Sequence, residues 1–62
     1  MIRALIVDDS KFMRRIIRET LEGGGYEIAA EAENGYDAVT LYKEQSPDFV
    51  TMDVTMMGKD GL

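Results

Sequence analysis

Apolar and polar positions follow three different rhythms along this chain. Residues 2–7, Ile-Arg-Ala-Leu-Ile-Val, form a short run rich in branched apolar side chains, the pattern of a strand buried on both faces, as in a parallel sheet. Beyond Asp8 and Asp9 the rhythm becomes helical: Phe12, Met13, Ile16, Ile17 and Leu21 recur on one side. Lys11, Arg14, Arg15, Arg18 and Glu19 fill the other, which reads as a solvated face. Ser10 can cap this helix, and Gly23-Gly24-Gly25 must end it, since glycine adopts the left-handed conformation that closes helices. Tyr26, Ile28 and Ala30 then alternate with Glu27, Ala29 and Glu31, a half-exposed pattern suited to an edge strand. Asn34-Gly35 resembles a hairpin turn, but Ala38, Val39, Leu41 and Tyr42 behind it have helical spacing, so Asn34 is read as a helix cap. Pro47 pushes its predecessor out of the helical region and predicts an end near Gln45. A third apolar run follows at 49–52 and leads into Asp53, and residues 58–61 read as loop.

Strand, helix, strand, helix, strand in one 62-residue domain implies a parallel sheet with right-handed crossovers. The first and third runs are the most apolar and become inner neighbours; the alternating second run goes to the edge. The expected order is 2-1-3, with one helix on each face. Ligands of such folds gather beyond the carboxyl ends of the strands, where the strand order reverses. Asp8 and Asp9 follow the first strand and Asp53 the third, so three carboxylates are expected to converge there.

Composition narrows the chemistry. A net charge of -5, a pI near 4.4 and no Lys/Arg run argue against nucleic acid as a partner. No apolar run approaches the roughly 18 residues of a membrane span, and the first residues lack a signal peptide's apolar stretch. With no cysteine, the chain is expected to be soluble and cytoplasmic, without a membrane partner. Three converging carboxylates repel unless a cation or a reaction needs them. Mg2+, or Mn2+, is the natural cation, a hard ion held by one or two carboxylates, waters and phosphate. One carboxylate could then act as nucleophile toward a phosphoryl group. The plainer alternative is that Asp8 and Asp9 only open a turn and favour the positive end of the first helix.

The segments "LIVDDS", "NGYDAV" and "PDFVTMDVTM" followed by "DG" resemble the receiver domain of two-component response regulators, in a flavour close to the chemotaxis regulators. The resemblance covers essentially all 62 residues, in order and at matching separations. It implies a flavodoxin-like doubly wound fold and a phosphoacceptor signalling module, not an enzyme. It also implies Asp53 as phosphoacceptor, Asp8 and Asp9 as the acidic metal pair, Thr55 as a metal contact through its backbone carbonyl, and a histidine kinase as phosphodonor. Met57 departs from the pattern, standing where receivers usually carry proline. The family pattern also continues through two more strands and three more helices. Those carry a Ser or Thr and a Lys at the phosphoryl group and an aromatic reporter of the switched state, so residues 1–62 read as the first half of a receiver with impaired phosphotransfer.

For a half-fold, strand three is expected to become an exposed apolar edge, a template for a second copy. The expectation is a homodimer through strand 49–54 that replaces the missing half, as a six-stranded sheet ordered 2-1-3-3-1-2. Exchange of an element through the glycine joint is a second route. The competing function is a self-assembling structural half-domain, natural fragment or engineered, without signalling activity. An aspartyl phosphatase fits less well, because such enzymes generally carry Asp-x-Asp after the first strand, where this chain has Asp-Asp-Ser.

Overall fold

The structure, a computed structural model, describes residues 1–52. The expected end of strand three at residues 53 and 54 and the loop at 58–61 lie outside the described residues. Five elements run in order: β1 (Arg3–Val7), α1 (Lys11–Gly23), β2 (Glu27–Ala32), α2 (Gly35–Gln45) and β3 (Phe49–Met52). The strands form one parallel sheet ordered β2-β1-β3, the order expected from the apolarity of the three runs.

β1 is the centre of the molecule because its side chains are apolar on both sides. Ala4, Leu5, Ile6 and Val7 have no solvent exposure. Leu5 and Val7 pack with Ala32 and Ala38, supported by Ala30 and Leu41, beneath α2. Ile6 pairs in register with Glu31, whose side chain points to the α1 side, where Arg14 and Arg18 meet it. The two helices therefore lie on opposite faces, as two crossovers running in opposite directions require. A register shift between Ala4 and Leu5 lets β2 slip one residue, so that Ala4 pairs with Ile28 but Leu5 with Ala30. Such a bulge in a parallel pair explains why the alternation of β2 does not map residue for residue onto burial.

Local signals act where the residue types predict. Ser10 Oγ accepts the Met13 N–H at 3.2 Å and Asn34 Oδ1 accepts the Asp37 N–H at 2.9 Å, so both helices start on side-chain caps. α1 closes at Gly24, and Gly25 carries a φ of 91°, which a side chain would strain. α2 ends at Gln45; Ser46 takes the left-handed conformation in place of the usual glycine, and Pro47 behind it is buried. Arg3 fastens this end. Its N–H donates to Asp48 Oδ2 at 2.7 Å, its carbonyl accepts the Asp48 N–H at 2.8 Å, and its guanidinium donates to the Gln45 backbone carbonyl and, at 3.2 Å, to Gln45 Oε1.

One expectation about α1 is corrected. Phe12, Met13 and Ile16 are exposed, at 71, 41 and 39%. The half-buried positions are Arg14, Ile17, Arg18 and Leu21. The helix is rotated so that two arginines, placed by the sequence pattern on a solvated face, lie against the sheet. Their aliphatic stems cover apolar surface while the guanidinium groups reach polar partners, and Glu31 on the edge strand supplies one.

Candidate functional site

Asp8 is the first residue beyond β1, yet it still belongs to the sheet. Its N–H donates to Ala32 O at 3.0 Å, extending the ladder with β2 by one step. Its side chain turns inward and is only 3% exposed. Oδ1 accepts the Ser10 N–H at 2.8 Å, the local bond by which an aspartate shapes a turn. A buried carboxylate is retained only when its oxygens are engaged, and among the described residues the side-chain hydrogen bond falls on Oδ1.

Asp9 is exposed. Neighbours in sequence thus take opposite positions, one carboxylate anchored inside and one in solvent, at the carboxyl end of the central strand. The turn that separates them is held by Ser10, whose N–H donates to Asp8 Oδ1 and whose hydroxyl oxygen accepts the Met13 N–H of the helix.

The third grip on this turn comes from Arg14. Its Nη1 donates to the Asp8 carbonyl oxygen at 2.6 Å and its Nε meets Glu31 Oε1 at 3.3 Å. The other Glu31 oxygen accepts from Arg18 Nε at 2.7 Å, and Arg18 Nη1 also lies 3.8 Å from Glu22. The Arg14 side chain is 14% exposed and that of Glu31 29%, so this pair is shielded more than a surface ion pair. The helical pattern alone did not single out Arg14; the available signal is that Arg14 and Arg18 share one helical stripe with Ile17 and Leu21.

Asp53 and Thr55, the other expected site residues, lie outside the described residues. Among the described residues no group of three His, Cys, Asp or Glu side chains is placed to hold a metal ion, so the described part of the expected donor set is the Asp8–Asp9 pair. Two carboxylates at a strand end suit Mg2+ by donor type, since it takes oxygen ligands and keeps several waters of its own.

This arrangement can be set beside known proteins. Residues 4–62 match the response regulator receiver domain. The chain belongs to the receiver family. This receiver is 58% identical over 60 residues to the chemotaxis protein CheY of Bacillus subtilis, covering 97% of this chain and 50% of that protein. It is 52% identical over 60 residues to the CheY of Thermotoga maritima, again covering 97% and 50%. A protein-glutamate methylesterase/protein-glutamine glutaminase of Halobacterium salinarum is 47% identical over 62 residues, which cover all of this receiver and 18% of that protein. The receiver spans half the length of the CheY relatives it matches. Its parallel sheet ordered β2-β1-β3 with two helices is part of the flavodoxin-like fold that the resemblance implied. Among the described residues no helix is long and apolar enough to cross a membrane.

Proposed function

We propose that this receiver is a cytoplasmic phosphoacceptor module of two-component, chemotaxis-like signalling, charged by a histidine kinase on Asp53 and not itself a classical enzyme. Asp8, Asp9, Asp53 and the backbone carbonyl of Thr55 would hold Mg2+ or Mn2+. When bound, the cation supplies positive charge to the oxygens of the transferred phosphoryl group. The observation that carries this reading is the split acidic pair, buried Asp8 beside exposed Asp9, at the strand-order reversal. Val7 and Met52 are register partners, and Asp8 and Asp53 are the residues that follow them in the sequence. Nucleic acid and membrane have no place in this reading, on grounds of charge and apolarity.

The metal half of the reading is tested by isothermal titration with Mg2+ and Mn2+. Asp8→Asn and Asp9→Asn each weaken binding by about tenfold or more, the scale on which removing one directed charge from a divalent site acts. Titrations indistinguishable among the wild type and both variants would contradict it.

On these 62 residues the Ser/Thr and Lys that the resemblance implies have no counterpart, and losing one preorganised contact of that kind costs about 3 to 4 kcal/mol in comparable sites. Phosphotransfer by the 62 residues on their own is therefore proposed to be slow.

Association of two copies through strand 49–54 is proposed on a separate observation. Val50 and Met52 are 36 and 42% exposed on the α2 side, beside Val39 and Tyr42 at 56 and 53%. With Leu5 and Ala38 they line an open apolar cleft of about 350 Å³. Both helices pack over β1 and β2, which leaves β3 the less covered strand. Two copies paired in parallel along β3 would make the sheet 2-1-3-3-1-2 and bury side chains worth about 1.5 to 3 kcal/mol each when fully covered. The melting temperature is then expected to rise with protein concentration, and Val50→Lys to abolish that dependence with loss of folding or aggregation. A folded wild-type monomer of constant melting temperature, measured with light scattering, would contradict the dimer. The same exposed face favours the alternative of a self-assembling half-domain without signalling, from which phosphoryl transfer to Asp53 separates the present reading.

A further inference from the structure

We propose that Arg14 is a positioning residue for the acidic pair: clamped by Glu31, its guanidinium holds the Asp8 carbonyl and so fixes the peptide that joins buried Asp8 to exposed Asp9. The proposal rests on the metal reading above and adds a residue to it that lies on a helix and touches neither carboxylate.

Four bonds define the clamp. Asp8 is held at both of its peptides: its N–H, in the Val7–Asp8 peptide, donates to Ala32 O at 3.0 Å, and its carbonyl, in the Asp8–Asp9 peptide, accepts from Arg14 Nη1 at 2.6 Å. Arg14 is aimed by Glu31 Oε1 at 3.3 Å, and Glu31 is itself aimed by Arg18 Nε at 2.7 Å on its other oxygen. Rotation of the Asp8–Asp9 peptide would swing the Asp9 backbone, and with it the base of the Asp9 side chain, relative to the anchored Asp8 side chain. That peptide's oxygen is the atom Arg14 grips. The planar guanidinium suits the task because it can donate from two edges at once, to a carbonyl and a carboxylate, which an ammonium cannot do in one fixed geometry. Its positive charge also sits beside the acidic turn without neutralising either carboxylate by direct contact. Arg14 and Glu31 thereby tie the aim of the pair to the packing of α1 on the edge strand.

Mg2+ titration of the full 62-residue chain tests this, together with the metal-free carbon-13 resonance of the Asp8 carbonyl. Arg14→Gln is expected to weaken Mg2+ binding about tenfold, the usual cost of removing a group that orients a metal ligand, and to shift the Asp8 carbonyl resonance before any metal is added. Arg14→Lys recovers part of the affinity. Glu31→Gln weakens binding in the same direction, and the double variant Arg14→Gln/Glu31→Gln loses no more than Arg14→Gln alone, because the two act as one unit. Should Arg14→Gln fail to fold, Arg14→Lys and Glu31→Gln carry the same test with milder changes. Wild-type affinity and an unmoved Asp8 carbonyl in these variants, with Asp8→Asn still weakened, would overturn the role of Arg14 and leave the metal reading standing. Binding that neither Asp8→Asn nor Asp9→Asn alters would overturn both.

Discussion

Leu5→Ala is expected to cost the 62-residue chain about 2 to 5 kcal/mol of its folding stability. Leu5 has no solvent exposure, sits in the middle strand and joins Val7, Ala32 and Ala38 in the apolar cluster beneath α2. Truncating such a side chain removes its transfer free energy and leaves a cavity, at a cost of about 2 to 5 kcal/mol. A net stability of about 0.05 to 0.15 kcal/mol per residue gives a chain of 62 residues only about 3 to 9 kcal/mol in all. One methyl-rich side chain thus carries a large share of the whole. Urea or thermal denaturation followed by circular dichroism reads the effect, and Glu44→Ala, at an exposed position of α2, provides the contrast with a change within about 0.5 kcal/mol. A Leu5→Ala chain that unfolds within about 1 kcal/mol of the wild type would show that the core lies elsewhere.

The fold was legible because several independent signals agreed. An uninterrupted apolar run predicted a strand buried on both faces, and residues 4–7 of β1 are fully buried. The ambiguous Asn34-Gly35 pair resolved as a helix cap because the spacing behind it was helical, and Asn34 Oδ1 does accept the Asp37 N–H. Pro47 located the end of α2 at Gln45. Strand order followed from relative apolarity alone.

The face of α1 was not legible, for a definite reason. Counting apolar residues put Phe12, Met13 and Ile16 inside, but a long arginine can lie on a sheet if its head finds a carboxylate, and Glu31 is 17 residues from Arg14 and 13 from Arg18. No local pattern contains that contact. The site divides the same way. In the sequence, the paired aspartates alone fit an opening turn, and it was Asp53 after the third apolar run that pointed to a strand-end site, because three converging carboxylates repel without a task. That Asp8 would be buried and Asp9 exposed depends on the Ser10 turn and on Ala32 and Arg14, which only the folded chain brings together.

Asp53→Asn is expected to have the largest effect on chemistry, because it would remove the proposed nucleophile and not a contact to it. With acetyl phosphate as donor, a carboxylate oxygen of Asp53 would attack phosphorus, the bond from phosphorus to the acetyl oxygen would break, and acetate would leave with the electron pair. The product is an acyl phosphate on Asp53. An asparagine amide cannot take this role, so incorporation should fall to background, whereas Asp9→Asn should slow it through the metal. Intact-mass spectrometry of the chain incubated with acetyl phosphate and Mg2+ tests the central claim most directly. The account predicts one added phosphoryl group, acquired slowly, dependent on Mg2+ and absent from Asp53→Asn; no addition to the wild type at any time, or equal addition to the Asp53→Asn chain, would contradict it.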